Sequence, residues 1–455
     1  MTGAALSRWT MSYFAMAIVC LLFGQGLLAL GYGDTASELG TPQTLVVVHI
    51  VAIGWLGLLM IGASLQFVPV LVDKPLAAPG LAAPALITLV AGLSCLVLGF
   101  LALDGSAGLP VVLLPIGAIL LSLGFSLAFV MLGLTLVRSR LPNLPSGMVA
   151  IGLASLLVTM LLGLVFALVL SGQIENAATD RLLSQAIPLH AALGLGGWLS
   201  LAAIGVSYRL LSMFMLSPET KRLTSRAVPW LAGGAVFLVV AAVVVIVVSG
   251  ADIAWPVTMA VLLTLIAVGL YGHDVIAMVR TRRRKALELN IRMSLVAMIH
   301  LCIAVLLLAG MGWTGKLGDH APALIYLVAF GWLTGLGLAK LYKIIPFLTW
   351  LECFGPVMGK VAVPRVQDLV QEDRAIFWFV LYHLGVAGAV ASLFFSAEPF
   401  FRLAVALQLA ATLAIVIEFT QARRLLMPKG TAILPDGIRK PRLVLPPIRK
   451  QEPRP

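Results

Sequence analysis

Polar positions in this chain come in short clusters, and between them lie long stretches in which almost every residue is apolar. Twelve such stretches stand out, at 11–32, 44–71, 80–103, 109–137, 146–171, 186–214, 227–249, 254–279, 292–312, 321–347, 374–396 and 401–422. Each reaches the roughly 20 residues that a helix needs to cross a hydrocarbon layer about 30 Å thick. They are apolar throughout instead of alternating with period two, which favours helices over the strands of a membrane β-barrel. The predicted fold is an all-α polytopic membrane domain over 1–422. In the segment 423–455, which ends PDGIRKPRLVLPPIRKQEPRP, Pro, Lys and Arg dominate and the apolar pattern stops, predicting a disordered basic tail. The first stretch is too long for a signal-peptide core, and GYGDTASELG after it lacks a small-x-small cleavage pattern, so it is retained as helix 1.

Composition agrees with this pattern: 61% of the 455 residues are hydrophobic and 11% charged. The basic residues are sorted by side. One set of loops carries Lys74, Arg138, Arg140, Lys221, Arg222, Arg226, the run RTRRRK at 280–285 and the tail; the other carries only Arg181, Lys316 and Arg402. That second side holds Asp34, Glu38, Asp104, Glu175, Asp180, Asp252, Asp319 and Glu398. The positive-inside rule then puts both termini in the cytoplasm, in a cytoplasmic (inner) membrane. The same sorting, with anionic headgroups as the partner, accounts for the net charge of +12 and removes the argument for nucleic acid. Cys20, Cys95 and Cys302 fall inside apolar runs and Cys353 in a loop on the basic side, so no extracytoplasmic pair is available for a disulfide.

An internal repeat appears when runs 2, 6 and 10 are superposed on their Gly-Trp pairs, Gly54-Trp55, Gly197-Trp198 and Gly331-Trp332, each followed by Leu. Downstream, Gly62, Gly205 and Ala339 coincide, then Gln66, Arg209 and Lys343, then Pro69, Ser212 and Pro346. Equal spacing of four helices predicts three four-helix units about a pseudo-threefold axis, the second helix of each carrying the special face.

Twelve helices in three arcs of four, with His49 near the outer end of helix 2, resemble subunit I of the heme-copper oxidases, the nitric-oxide reductases included. The architecture covers most of the chain, whereas the motif covers HIVAIGWLGLLMIGA, PLHAALGLGGWLSLAAIGVSYRLL and helix 10. The resemblance implies His49 as an axial ligand of a low-spin heme b and His190, on helix 6, as a second heme or copper ligand. It also implies a helix-7 histidine pair and two helix-10 ligands, but neither the seventh nor the tenth run contains a histidine. A complete oxygen-reducing centre needs several imidazoles converging on two metals, and the chain has six histidines in all.

Each candidate has a plain structural reading beside the functional one. His49 and His190 lie about one turn inside the outer helix ends, where a polar side chain either binds something or finds a protein partner. Gly194 and Gly197 follow His190 at i+4 and i+7, offering bare backbone to a porphyrin or a close approach to a neighbouring helix. His320 precedes the tenth run beside Asp319, as a third outer-face ligand or a solvated loop residue. His300 and His383 share a depth near mid-bilayer and could face one cofactor or bond a backbone carbonyl. His273, with Asp274, is placed at the interface. Arg402 stands where a heme propionate would need a cation. Arg209, Lys340, Lys343 and Glu418 are expected to snorkel, with a polar cluster of Gln66, Arg209 and Lys343 on the axis as the other possibility.

No P-loop, HExxH or GxSxG motif is present. The leading expectation is a b-type heme protein, with copper as a possible second metal, that transfers electrons or handles a diatomic gas or metal. Its partners would be lipids and an electron donor or respiratory-chain subunits. The alternatives are a cofactor-free transporter using Arg209, Lys340 and Lys343 for an anionic solute, and an accessory protein of a respiratory complex.

Overall fold

The computed structural model describes residues 9–33, 39–103, 105, 108–139, 143–218, 222–426 and 440–444. Asp34, Glu38, Asp104, Arg140, Lys221 and most of the 423–455 tail lie outside the described residues. Twelve helices are long and apolar enough to cross a membrane: α1 Thr10–Ala29, α2 Pro42–Val72, α3 Pro79–Leu103, α4 Leu113–Val137, α5 Leu144–Leu170, α6 Ile187–Met215, α7 Leu223–Val248, α8 Ala254–Arg280, α9 Leu289–Trp313, α10 Leu317–Cys353, α11 Glu372–Phe394 and α12 Glu398–Arg423. No strand occurs among the described residues. This is an all-α polytopic membrane protein. With an even number of crossings, residues 9 and 426 come to the same end, called here the termini face.

Local chemistry sets the helix ends. Thr41 caps α2, its hydroxyl accepting from Thr44 N with Pro42 at the first position. Asn143 and Ser146 close a reciprocal capping box on α5. α2 and α6 stop at left-handed residues, Asp73 (φ 50°) and Leu216 (φ 52°), each nineteen residues beyond its Gly-Trp glycine. Lipid-facing positions carry exposed apolar side chains such as Val19, Phe23 and Ile299, and the helix ends carry exposed Trp230, Trp255 and Trp313 in the manner of interfacial belts.

α2, α6 and α10 form the centre. In their most apolar windows 61%, 61% and 67% of residues are buried, against at most 50% for the others. Around them the neighbour pattern recurs every four helices: α3 packs along α4, α7 along α8 and α11 along α12, while α4 meets α5, α8 meets α9 and α12 closes the ring on α1. Three four-helix units would give this pattern. The helix pairs α1–α2 and α5–α6 also share a register. Gly54 faces Cys20 and Gly62 faces Tyr13; Gly197 faces Ser155 and Gly205 faces Met148, an offset of seven residues on each first helix. Small residues let the backbones approach where lipid gives no hydrophobic drive. Accordingly Gly205→Ala, whose Cβ would fall 2.7 Å from Met148 Cβ and 2.9 Å from Pro145 O, is expected to cost about 1–3 kcal/mol. Gly269→Ala, with nothing within 4 Å, is expected to be near neutral; thermal unfolding in detergent compares the two.

Each central helix widens to a π-helix at its Gly-Trp pair: Ile50–Gly57, Ala192–Ser200 and Leu327–Thr334. All three segments end three residues past the glycine. They touch one another, and their tryptophans run in a cycle. Trp55 Nε1 donates to Thr334 Oγ1 (2.8 Å) and Trp332 Nε1 to Ser200 Oγ (3.0 Å). Thr334 and Ser200 in turn donate to Ala329 O and Leu195 O inside their own π segments. Gly57 holds the corresponding place on α2, and the Trp198 ring lies against it, 3.4 Å from where a Cβ would be.

Residues 440–444 of the tail touch the bundle. Arg423 donates from Nε and Nη2 to Arg442 O (3.0 and 2.7 Å), and Ser12 Oγ donates to Val444 O (3.1 Å).

Candidate functional site

His49 ends the α-helical part of α2, directly before its π segment. Its Nδ1 lies 2.8 Å from Leu45 O; a carbonyl only accepts, so Nδ1 carries the proton and Nε2 keeps its lone pair. The ring leans on Phe100 of α3, with centroids 4.9 Å apart. His190 stands two residues before the π segment of α6, edge-on to Phe166 of α5 at 5.6 Å. Its Nδ1 is buried with no hydrogen-bond partner among the described residues. The helices thus place His49 and His190 at the same end of α2 and α6, each just before a π segment, with one ring oriented and the other holding an unsatisfied nitrogen. The site lies at the end opposite the termini face, where α2 begins and α6 enters.

The bare face expected below His190 is not free. Ser155 fills the position over Gly197 and donates to Leu193 O (2.9 Å), and the Thr159 methyl lies 3.3 Å from where a Cβ of Gly194 would be. These glycines serve α5–α6 packing. His320 is also placed differently. α10 starts at Leu317, four residues before the expected boundary, so His320 lies in its first turn, with its ring on Phe394 of α11 at 5.0 Å. Arg402 pairs with Glu398 one turn back, and its guanidinium presses on Gly31, where no side chain would fit. The charge offered to a propionate is therefore already matched. Arg181, another basic residue on that side, donates to Ile246 O and Val247 O and so caps the last turn of α7.

Two imidazoles meet deeper in the bundle. His300 of α9 and His383 of α11 approach with centroids 5.2 Å apart, on either side of Gly331 and Gly335 of α10. His300 Nδ1 donates to Gly331 O (3.1 Å).

Below the tryptophan cycle a cavity of about 80 Å³ opens between the three central helices. Equivalent positions line it, among them Leu56, Leu199 and Leu333, then Ala63, Val206 and Lys340. Lys340 is 8% exposed, and its Nζ has no hydrogen-bond partner among the described residues. The nearest ring face is that of Phe214, at 6.0 Å. Lys340 therefore points into the centre instead of snorkelling. Gln66 and Lys343 do not form the axial cluster: Gln66 accepts from Thr10 (3.3 Å), and Lys343 pairs with Glu288 (2.7 Å). Glu418 is buried against Arg374 of α11 (2.6 Å) instead of reaching the headgroups.

Sequence reasoning placed Asp274 at the interface beside His273, and the structure buries it. The His273 side chain is 60% exposed, whereas Asp274 is fully buried. It accepts from Tyr208 (2.9 Å) and Thr224 (2.5 Å), while neighbouring Tyr271 shares a hydrogen bond with Ser207 on the cavity wall (2.6 Å). Adjacent helix residues point about 100° apart, so the charge of one says nothing of the other's burial. Only the tyrosines at 208 and 271, themselves on apolar runs, hinted at a polar network.

Among the described residues no group of three or more His, Cys, Asp or Glu converges as a metal cluster. No known protein-family model matches the chain, and no curated protein matches it.

Proposed function

We propose that the chain is an integral membrane cofactor protein in which His49 and His190 hold a b-type heme, with copper as the other candidate metal. The observation that carries this reading is the placement of the two imidazoles at the mouths of two π segments that touch each other. π-bulges within helices concentrate at functional sites. A histidine whose Nδ1–H is tied to a backbone carbonyl, as His49 is to Leu45 O, has the orientation of a metal ligand. The buried, unpartnered Nδ1 of His190 is costly unless a ligand satisfies it.

The donor set fits such a group, but Gly194 and Gly197 do not supply its bed. Phe100 and Phe166, one against each imidazole, are the apolar surfaces that would. When bound, a heme supplies one-electron chemistry and a site for a diatomic gas. The chain's own residues fix the tautomer of His49, keep water from the rings and hold α2 against α6. The recurrence of neighbours every four helices supports the likeness to heme-copper oxidase subunit I. The absence of histidines from α7, and from α10 beyond His320, argues against oxygen reduction. The basic loops of the termini face support a cytoplasmic-membrane protein with both termini inside, where an electron donor or a respiratory partner would meet it.

A second reading, a transporter of small anions, rests on Lys340 in the axial cavity. Two variants separate them. His49→Ala is expected to remove most bound heme from the purified protein while leaving its fold intact, and Lys340→Met to leave heme content unchanged. Equal heme in wild type and His49→Ala sinks the first reading. Anion flux in liposomes that is lost only in Lys340→Met would establish the second.

A further inference from the structure

We propose that His300 and His383 form a separate, two-coordinate site for a univalent soft metal ion of the copper(I) class in the middle of the bundle. This does not rest on the helix-2 and helix-6 reading, since no residue is shared.

The site looks built. His383 is 8% exposed, and neither of its ring nitrogens has a hydrogen-bond partner among the described residues. Two orphaned nitrogens on one buried ring are unusual, because buried polar groups are nearly always satisfied. His300, facing it at 5.2 Å between centroids, spends Nδ1–H on Gly331 O and so keeps the Nε2 lone pair. That is the arrangement which orients a metal-ligating imidazole. α10 makes room with two glycines one turn apart. A Cβ on Gly331 would fall 3.0 Å from His300 Cγ, and one on Gly335 would fall 2.8 Å from His383 Cε1.

Donor count and charge choose the ion. Tyr382, next to His383, is committed to Phe330 O (2.7 Å), and Cys302 lies toward Gly272 of α8, its Sγ 4.0 Å from where a Cβ would be. No third His, Cys, Asp or Glu joins the pair among the described residues. Zinc takes four ligands as a rule, and a divalent ion held by two neutral imidazoles would leave two charges unmatched among apolar helices. His300 lies about 20 Å and His383 about 17 Å from the far ends of their helices at ~1.5 Å per residue, so that cost applies in full. Copper(I) is content with two nitrogen donors and brings one charge. With metal–nitrogen bonds of about 2 Å, a straight link separates the ring centroids by about 6 Å, against 5.2 Å between the tilted rings here, so the rings part and turn by about 1 Å to take the ion.

The test titrates the purified full-length protein with Cu(I) against a competing Cu(I) chelator and reads copper K-edge absorption on the loaded sample. One Cu(I) per chain with two nitrogen neighbours is expected, lost in His383→Leu and in His300→Leu and retained in His273→Ala. Gly335→Ala keeps both imidazoles but crowds one, and is expected to weaken Cu(I) on the order of tenfold. If wild type takes no Cu(I) from the chelator, binds it through sulfur, or both histidine variants keep it, the proposal is wrong. The wild-type readings decide it even where a variant does not fold.

Discussion

Arg423→Ala is expected to cost about 3–5 kcal/mol, the scale for removing one partner of a buried ion pair. Arg423 is 2% exposed and ties three elements at the termini face. Nη2 pairs with Glu352 (2.7 Å), Nη1 donates to Thr349 (3.2 Å), and Nε and Nη2 both reach Arg442 O. Alanine removes the Arg423 guanidinium from Glu352, Thr349 and Arg442 O and takes the anchor from the 440–444 strap. Arg423→Lys is expected to recover little, because one ammonium cannot reproduce a planar fork aimed at three acceptors. Arg423→Met with Glu352→Gln is expected to regain part of the loss, since methionine restores buried volume and the carboxylate that Arg423 paired with becomes neutral. Thermal unfolding of the three proteins in one detergent gives the order; an Arg423→Ala protein as stable as wild type would show that the knot contributes nothing.

Trp332→Ala is the second large effect, again about 3–5 kcal/mol, from the cavity left by a fully buried indole. Trp332 is 0% exposed, and its N–H bonds Ser200 across the helix interface. Two milder variants divide the effect. Ser200→Ala keeps the ring but strands its N–H, at about 1–3 kcal/mol; Trp332→Phe removes the N–H with part of the ring. Gly57→Ser tests the cycle from the other direction, by adding the hydroxyl that α2 lacks. Because its Cβ would sit 3.3 Å from Ala52 O, as well as near Trp198, any gain is expected to be small. The same denaturation series reads all four.

How far the sequence showed this fold depends on which interactions leave a periodic trace. Apolar runs are periodic over twenty residues, so twelve helices were legible, and the repeated Gly-Trp pairs picked out the three central ones. The π geometry was not legible, because it arises where three helices with bulky indoles meet, with partners such as Trp55 and Thr334 279 positions apart. Nor was the fate of Gly194 and Gly197: a glycine face reads alike whether a ligand or Thr159 and Ser155 covers it. The strap at 440–444 docks through the carbonyls of Arg442 and Val444, which composition cannot reveal. His49 and His190 were visible as isolated polar residues in apolar runs. Their common end of the bundle, and the pairing of His300 with His383, depended on tertiary packing.

The most direct test of the account is a reduced-minus-oxidised visible spectrum of the purified protein, with heme quantified per chain. Sharp low-spin b-type bands near one heme per chain are the predicted result. A colourless protein that takes up no heme when reconstituted would contradict it.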